Sequence, residues 1–417
     1  MQDRDLYARI LGLSDPFAVR DVKLDIGAGE VRVFVTAKMS ASFPCPTCGK
    51  TCPGYDTRER SWRHLDTCQF KTILVADVPR VNCSEHGVHQ VAVPWAEPGS
   101  GFTALMEAVV INWLRAVMSI KAVGEQLRLT WDQVDGIVSR AVKRGLARRK
   151  RIRVKRLGVD ETSFQKRHEY VTIVTDLVTG CVLYVADDRR RESLAPFFRG
   201  LTAHQLANIE TVAMDMHGAF ISVVRDLLPD ADRKIAFDKF HVAQHLGDAV
   251  DRVRRAEHRA LLGEGIQLLK GSKYLWLTNP DNFEPAQAGA IEALQQMNLK
   301  TGRAWLLKQT AMCIWRYVRR STAERAWTGW IGKAMRSRLD PIKQVARMIR
   351  EHLWGIVNAM ALQATNAASE SVNSKVQRIK RAACGFRNRE RFRNAILFHL
   401  GGLDLHPAQA SATHTGS

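Results

Sequence analysis

The sequence contains three closely spaced apolar runs, Leu157-Gly-Val-Asp160, Tyr170-Val-Thr-Ile-Val-Thr-Asp176 and Cys181-Val-Leu-Tyr-Val-Ala186. Each run is short and apolar, and Thr179-Gly180 supplies a turn between the second run and the third. This pattern is typical of consecutive strands, so we predict a β-meander. Helical and strand patterns then alternate as far as residue 237, which indicates an α/β layer.

A long helical stretch interrupts this layer. Residues 241–360 show no strand alternation and contain many helix formers and six of the ten tryptophans. A structureless loop of that length would be most unusual, so we predict an all-helical insertion. Core packing is the expected role of most of these tryptophans, and stacking on an unpaired base is the alternative. The strand and helix pattern of the core resumes around Asn366. We therefore predict a core in two parts, residues 157–240 and residues 361–403. Residues 404–417 are polar and lack periodicity, so we expect a disordered tail.

The first 95 residues are predicted to form a β-rich domain with a metal site. Residues 20–42 alternate with period two around Gly27-Ala28-Gly29, which predicts a hairpin. Two pairs with the spacing of metal ligands follow, Cys45-x-x-Cys48 and Cys83-x-x-His86. The x-x spacing folds each pair into a turn that points both side chains the same way, and four such ligands suit one tetrahedral zinc ion. Small buried residues without a metal are the alternative, and the rival ligands are Cys52, His64 and Cys68.

Residues 96–148 carry the pattern of a helix-turn-helix. A short helical segment spans Ile120 to Leu127, and a capping box, Thr130-Trp-Asp-Gln133, begins a longer one. The second helix of such a pair can enter the major groove of DNA, although similar helix pairs occur in proteins that never touch DNA. The basic linker at residues 149–156 favours DNA binding, because residues 140–156 contain ten Lys or Arg and no acid. The candidate phosphate contacts are Arg148, Arg149, Lys150, Arg151, Arg153, Lys155 and Arg156.

The composition of the 417-residue chain limits the function classes. Lys and Arg number 62 against 42 Asp and Glu, and the net charge of +20 points to a polyanionic partner. Hydrophobic residues make up 46%, which excludes a mainly disordered chain. No apolar stretch reaches the ~18 residues of a membrane span, and the N-terminus lacks the pattern of a secretory signal. We therefore expect a cytoplasmic protein, associated with the nucleoid when bound to DNA, whose eight cysteines do not form a disulfide framework.

Three acids are placed to hold catalytic metal ions. Asp160 and Asp215 stand at predicted strand ends 55 residues apart, and Glu370 begins a helix 155 residues later. Carboxylates on neighbouring strands and a flanking helix can share two divalent ions about 4 Å apart, and hard oxygen ligands suit Mg²⁺ or Mn²⁺. On the same helix Arg381 returns to the face of Glu370 and Arg378 flanks it, so both can bind phosphate. Other acids near strand ends compete on position alone, namely Asp176, Asp187, Asp188 and Asp238.

The residues around these acids resemble bacterial insertion-sequence transposases of the ISL-three family. Four blocks carry the likeness: Gly158-Val-Asp160-Glu-Thr-Ser-Phe164, Ala213-Met-Asp215-Met-His-Gly-Ala-Phe220, Phe237-Asp-Lys-Phe-His241-Val, and Thr365-Asn-Ala-Ala-Ser-Glu370-Ser-Val-Asn373-Ser-Lys375 through Cys384-Gly-Phe-Arg-Asn388. The likeness extends to Trp62-Arg-His-Leu-Asp66 and Leu268-Leu-Lys-Gly-Ser-Lys-Tyr274, so it covers nearly the whole chain. The sequence departs from the family pattern at His217-Gly218 and at Gln377.

The resemblance implies a multidomain α/β protein. A ribonuclease H-like catalytic core would be interrupted by the all-α insertion and preceded by the β-rich zinc-binding module and the helix-turn-helix. Asp160, Asp215 and Glu370 fall on the family's DDE positions and become the ligands of two Mg²⁺ or Mn²⁺ ions. Asp238 and His241 match an Asp-x-x-His motif that serves either a structural hydrogen bond or the chemistry. The family's zinc-finger positions, for one structural Zn²⁺, are Cys45, Cys48, Cys83 and His86.

The expected activity is transposition. The protein would bind the terminal inverted repeats of its element, cleave there and transfer the strand to target DNA by two-metal phosphodiester chemistry. The partner is double-stranded DNA, with a dimer or higher oligomer and no membrane. A transposase-derived DNA-binding regulator without strand transfer is the first alternative, but it would not need all three acids. A resolvase or nuclease on the same core is the second, but it does not explain the two N-terminal modules.

Overall fold

A computed structural model describes residues 3–38, 41–117, 119–150, 153–165, 169–364 and 367–408. The chain divides into two compact units. The first comprises residues 1–150 with 382–384 and 403–417, and the second comprises residues 151–381 with 385–402. No helix within the described ranges is long and apolar enough to cross a membrane.

The first unit joins a β-sheet to a group of three helices. Its elements are α1 (Asp3–Ile10), β1 (Phe17–Asp25), β2 (Glu30–Ala37), β3 (Phe43–Pro44), β4 (Thr51–Cys52), β5 (Gly54–Thr67), β6 (Phe70–Cys83), β7 (Gly87–Gln90), α2 (Ala104–Val117), α3 (Ile120–Leu127) and α4 (Trp131–Arg148). The main sheet has the order β1-β2-β6-β5, with β7 paired to β6, while β3 and β4 form a separate two-stranded ladder. The β2 and β6 strands run parallel, and the other neighbours run antiparallel.

The predicted N-terminal hairpin is confirmed. Strands β1 and β2 pair antiparallel, with Val22 opposite Val33. Alternate residues of β2 are buried, which is why its sequence has period two. They pack into a core with Leu74 of β6 and the perpendicular rings of Trp62 and Trp95, whose centroids are 5.4 Å apart.

The predicted helix pair is also confirmed. Helix α3 ends at Arg128, whose left-handed backbone (φ 54°) turns the chain towards α4. The Thr130 hydroxyl accepts from the Gln133 amide at 3.3 Å, and the Gln133 side chain accepts from the Thr130 amide at 2.9 Å. This capping box satisfies two backbone donors and fixes where α4 begins. Val134 and Ile137 of α4 are fully buried.

The second unit begins with alternating strands and helices and ends with helices alone. Its elements are β8 (Arg156–Gln165), β9 (Glu169–Asp176), β10 (Val182–Ala186), α5 (Arg191–Arg199), α6 (Ala203–Asn208), β11 (Thr211–Met214), α7 (Gly218–Leu227), α8 (Ala231–Lys234), β12 (Ile235–Phe237), α9 (Lys239–Gly263), α10 (Lys273–Leu277), a 3-10 turn (Pro280–Asn282), α11 (Pro285–Gln296), α12 (Lys300–Ile314), α13 (Arg320–Met335), α14 (Asp340–Glu351), α15 (Leu353–Ala361), α16 (Ala367–Ala382) and α17 (Arg389–Leu400).

The five strands of this unit form one mixed sheet in the order β10-β9-β8-β11-β12. The predicted meander is confirmed, because β8, β9 and β10 pair antiparallel. Strands β8, β11 and β12 run parallel, as expected for strands joined by helical crossovers. Helices pack on the sheet through buried aromatic residues, including Phe198 of α5 and Phe220 of α7. Phe392 of α17 lies 5.6 Å from Phe164 of β8, measured between ring centroids.

The stretch predicted to be helical contains α9 to α15 and no strand. Trp276, Trp327 and Trp330 are among the largest fully buried side chains of the described residues, which confirms core packing as their role. The stretch packs closely on the sheet where Gly355 of α15 faces the Phe237 ring, since any larger side chain at 355 would collide with that ring. The prediction that this stretch interrupts a ribonuclease H-like core stays a prediction. Residues 367–403, within the expected return to the core, supply α16 and α17 and no strand.

Candidate functional site

Three neighbouring parallel strands carry aspartates at the same level of the sheet. Asp160 lies within β8 just after Val159, which is paired with Met214 of β11. Asp215 directly follows Met214, and Asp238 directly follows Phe237 of β12, which is the partner of Met214 on the other side. Because Val159, Met214 and Phe237 lie side by side in this register, the three aspartates that follow them lie level with one another across the sheet. The prediction that Asp160 stands at a strand end is wrong, since β8 continues to Gln165 through its pairing with β9.

Both carboxylate oxygens of Asp160 have a donor. The Glu161 backbone amide donates to Oδ1 at 2.7 Å, and the Asn373 side-chain amide of α16 donates to Oδ2 at 2.7 Å. Burial raises the pKa of Asp160 to about 6. The Glu161 amide and His241 oppose that rise, while the negative charges of Asp238 and Asp215 add to it. Asp160 therefore carries a charge that its surroundings solvate poorly.

Asp215 has a similar arrangement with more exposure. Its Oδ1 accepts from the Met216 amide at 2.6 Å, and its Oδ2 lies 3.9 Å from Nδ1 of His241 on α9. The Asp215 side chain is 41% exposed, and that of His241 is 23% exposed. Helix α9, which begins after β12, therefore places His241 next to Asp215, which follows the neighbouring strand β11.

Asp238 fixes the start of that helix. Its Oδ1 accepts from the Phe240 amide at 3.1 Å, which caps α9. Its side chain is buried, and Oδ2 has no hydrogen-bond partner among the described residues. A buried carboxylate oxygen without a donor is costly, so Oδ2 is available to a cation or water. For the Asp-x-x-His motif, the helix cap by Asp238 is the predicted structural hydrogen bond. The predicted role in the chemistry stays a prediction, and its histidine, His241, lies against Asp215.

Glu370 lies in the first turn of α16 and is exposed. Together with Asp238 it lines a cavity of about 1260 Å³, and Trp305 and Trp315 also contribute to the lining. Within the described ranges, no group including Asp160, Asp215 and Glu370 has ligand atoms within 4.8 Å of one another. The structure thus brings the two aspartates side by side on adjacent strands and places the glutamate on a helix bonded to the first of those strands. It does not bring the three carboxylates to one point.

The predicted zinc ligands do converge. One ligand atom from each of Cys45, Cys48, Cys83 and His86 lies within 4.8 Å of the others, the one such group among the residues described. Cys48 Sγ lies 3.8 Å from Cys83 Sγ, which lies 3.5 Å from His86 Nδ1. A glycine with positive φ follows each pair, Gly49 and Gly87 (both φ 75°), and permits the sharp turn that aims both ligands inwards.

The donor chemistry of this cluster fits zinc. A hydrogen bond from the His86 side chain, assisted by backbone amides, lowers the pKa of Cys83 to about 6, which favours the thiolate that binds metal. The rival ligands lie outside the group of four. Cys68 is exposed, the Cys52 thiol donates to the Lys50 carbonyl at 3.3 Å, and the buried His64 is hydrogen-bonded to Thr103.

The basic run is only partly available for DNA. Arg140 and Arg144 form ion pairs with the buried Glu107, so they stabilise the first unit from inside. Arg148 pairs with Asp404 at 3.2 Å and donates to the His406 carbonyl at 2.6 Å, and Lys155 pairs with Glu210 at 2.8 Å. Arg151 lies outside the described residues. The exposed candidates are Arg148, Lys150, Arg153, Lys155, Arg156, Arg378 and Arg381, while Arg149 is half-buried.

Sequence reasoning assigned no role to Asn373. The residue stood inside one of the four blocks, and its position three residues after Glu370 puts both side chains on one face of a helix. That spacing was the available signal. Its partner on β8 is 213 residues away and emerges only from the tertiary structure.

Carboxylates side by side on neighbouring strands, in a chain with a capped helix pair and a Cys/His cluster, fit a DNA-processing enzyme. Three family models agree with that class. Residues 157–396 match the DDE model of ISL3 proteins, described as a transposase. Residues 41–86 match the zinc finger of the transposases of IS204, IS1001, IS1096 and IS1165, and residues 91–142 match the helix-turn-helix domain of transposase family ISL3. The chain belongs to the ISL3 family of DDE transposases, which are enzymes that cleave DNA and transfer its strands.

Named relatives are similar over most of their length. The transposases for insertion sequence element IS1557 from two strains of Mycobacterium tuberculosis, CDC 1551 and H37Rv, are each 29% identical over 432 residues, with 96% of either chain covered. The transposase for insertion sequence element IS1001 from Bordetella parapertussis is 26% identical over 353 residues, which cover 84% of this chain and 86% of the relative.

Proposed function

We propose that this transposase binds the terminal inverted repeats of its own element and catalyses cleavage and strand transfer by two-metal chemistry at Asp160, Asp215 and Glu370. One observation carries the proposal. Two aspartates stand side by side, Asp160 within β8 and Asp215 directly after β11, and the helix that bears Glu370 is hydrogen-bonded to the first of them. The α/β layer of the second unit is accordingly the ribonuclease H-like core, and α9 to α15 form its insertion.

The residues fit divalent magnesium or manganese. Each oxygen of Asp160 accepts one hydrogen bond and keeps a lone pair. Among the residues that the structure describes, the Oδ2 atoms of Asp215 and Asp238 have no close donor. Hard carboxylate oxygens of this kind suit these ions. When bound, two such ions neutralise charge on the phosphodiester and orient the attacking and leaving oxygens.

The residues of the chain itself position the parts. The Glu161 and Met216 amides hold the carboxylates of Asp160 and Asp215. The exposed Arg378 and Arg381 follow Glu370 on α16 and bind phosphates beside the acids. Catalysis of this type depends on positioning and charge stabilisation, so a covalent enzyme intermediate has no part in it.

The N-terminal modules supply recognition. Cys45, Cys48, Cys83 and His86 bind one structural Zn²⁺, which stabilises a small domain with a limited core. Helix α4 enters the major groove of the end repeat, and the exposed Lys150, Arg153 and Arg156 contact phosphates nearby, together with Arg148, Arg149, Arg151 and Lys155. Pairing two transposon ends calls for at least two protomers on the DNA, and sedimentation of a complex with two joined ends would measure that number.

The test is strand cleavage by the purified protein on DNA from the ends of its element. With Mg²⁺ or Mn²⁺ the wild type is expected to cut at the ends, and EDTA is expected to abolish the cut. Asp160→Asn should lower the cleavage rate at least about 1000-fold and leave end binding intact, because the loss is catalytic. Equal binding by both proteins with no cleavage under any metal would instead favour a DNA-binding regulator.

A further inference from the structure

Helix α16 is fastened to strand β8 by three side chains on one face of the helix. Asn373 donates to Asp160 at 2.7 Å, Gln377 donates to the Thr162 hydroxyl at 2.8 Å, and the Lys380 ammonium donates to the Ser163 carbonyl at 2.9 Å. The helix positions are four and three residues apart, so they share a face. Glu370 lies three residues before Asn373 on the same helix. These three hydrogen bonds therefore fix the position of Glu370 relative to the strand that carries Asp160.

The three side chains differ in the groups that they contact. Gln377 and Lys380 bond to neutral groups of β8, whereas Asn373 bonds to a carboxylate. The orientation of its amide follows from that partner, since an ionised carboxylate only accepts and an inverted amide would put two oxygens 2.7 Å apart. Nδ2 also lies 3.5 Å from the Glu161 carbonyl, whereas Oδ1 is buried with no partner among the described residues.

A residue that served only to attach the helix would be expected to pair both of its polar atoms, because buried polar groups are usually satisfied. Asn373 instead uses its donor on Asp160 and leaves its acceptor unpaired. The Glu161 amide holds one oxygen of Asp160 and Asn373 holds the other, so the rotation of this carboxylate is fixed from both sides.

We infer that Asn373 is a positioning residue for metal binding: its amide orients the Asp160 carboxylate toward the cation and couples that orientation to the helix that carries Glu370. This inference rests on the proposed function, because it requires Asp160 to be a ligand. Partners that orient a metal-binding side chain typically contribute 10-fold to 100-fold in metal affinity, so the effect is about 10-fold or more.

The experiment measures Mn²⁺ binding to the full-length protein without DNA, by titration calorimetry, with Zn²⁺ already supplied. Asn373→Leu removes both polar atoms and keeps the number and branching of the side-chain heavy atoms. Gln377→Met is the matched control. It removes the neighbouring side-chain amide on the same face of α16, and the partner of that amide is the Thr162 hydroxyl. We expect Asn373→Leu to weaken Mn²⁺ binding about 10-fold and Gln377→Met to change it less than about 3-fold. Hydrogen exchange of the α16 amides reports on the helix itself, and Asn373→Ser replaces the leucine variant if that variant does not fold.

Two outcomes would overturn the inference. Unchanged Mn²⁺ affinity in Asn373→Leu, or equal losses in Asn373→Leu and Gln377→Met with equal loosening of α16, would reduce Asn373 to a helix attachment. Asp160→Asn distinguishes failure of the proposed function. If Asp160→Asn also binds Mn²⁺ normally, Asp160 is not a ligand and both proposals fall. If Asp160→Asn weakens binding and Asn373→Leu does not, only this inference falls. If the inference holds, Asp160→Asn and Asn373→Leu have non-additive effects on Mn²⁺ affinity in a double-mutant cycle.

Discussion

His64 shows how one buried side chain can make the first unit sensitive to pH. The imidazole is 3% exposed, and its Nδ1 lies 2.9 Å from the Thr103 hydroxyl. Burial, assisted by the positive charge of Arg63, lowers its pKa from 6.5 to about 4. The folded protein therefore keeps His64 neutral where the unfolded chain would protonate it.

This shift predicts acid sensitivity of the main sheet. Because the folded pKa is depressed, the contribution of His64 is fully present above pH 6.5 and is lost as the pH falls towards 4. At pH 5 the loss is about 2 kcal/mol. Hydrogen exchange of the β5 and β6 amides, corrected for intrinsic rates, should show this decrease in the wild type between pH 7 and pH 5. His64→Gln should show less of it, and the exposed His204→Gln should behave like the wild type.

At the residue scale, sequence reasoning located side chains whose position follows from local pattern. Asp215 could be placed directly after a strand because a buried strand has a readable beginning and end. Asp160 was predicted at a strand end but lies within β8, because the pairing of residues 161–165 with β9 is not visible in the local pattern. His64 could not be separated from the metal ligands in this way, because only its contact with Thr103, 39 residues away, removes it from the set. Asn373 escaped for the same reason, since its function lies in a tertiary partner.

Among the elements, the two short turns at Cys45–Cys48 and Cys83–His86 decide the fold of the Cys/His cluster. They are joined by β5 and β6, two long strands that pair with each other. The cluster therefore depends on a hairpin to bring the pairs together, and the proposed zinc ion would in return close the ends of that hairpin.

Zinc analysis of single variants tests this set of ligands. We expect one Zn²⁺ per chain in the wild type. Cys48→Ser should lose most of the zinc and raise hydrogen exchange in residues 41–90, because a ligand is missing. Cys52→Ser is the matched control, since its thiol lies on the adjacent ladder but outside the group of four. Retention of zinc by Cys48→Ser together with its loss from Cys52→Ser would move the site to the rival ligand.

The elements that sequence predicted best are those with local signals. Helix α3 begins and ends where the pattern placed it, and α4 begins after the Thr130 cap, because capping and periodicity are local. Strand β5 was not predicted. Its first eight residues are all exposed and show no alternation, so pairing with β6, and not burial, makes them a strand.

For the whole molecule, the excess of positive charge predicts a strong dependence of DNA binding on salt. The net charge is +20, and each phosphate contact lowers the slope of log K against log salt by about 0.9. Replacing Arg378 and Arg381 together by Ala should therefore make the slope less negative by about 2. Binding at several salt concentrations measures it, with the exposed Arg350→Ala of α14 as the control. An unchanged slope in the double variant would remove both arginines from the interface.

The overall architecture was predictable where texture changes along the chain. The loss of strand patterns after β12 and the block of tryptophans predicted a helical stretch. The structure shows that stretch as α9 to α15. The internal use of Arg140 and Arg144 was not predictable, because the sequence does not show that Glu107 is buried between them. Charge counts therefore overestimate the basic surface that DNA can reach.

Glu370 is the acid whose part in a common centre is least evident from geometry, so it offers the most direct test. The measurement is single-turnover cleavage of an end-repeat substrate with Mn²⁺ by Glu370→Gln, with Glu390→Gln of α17, also exposed and in a first helical turn, as the control. We predict a loss of at least about 1000-fold for Glu370→Gln with unchanged end binding, and a loss of less than about 3-fold for the control. Cleavage by Glu370→Gln at the wild-type rate would contradict a centre built from Asp160, Asp215 and Glu370.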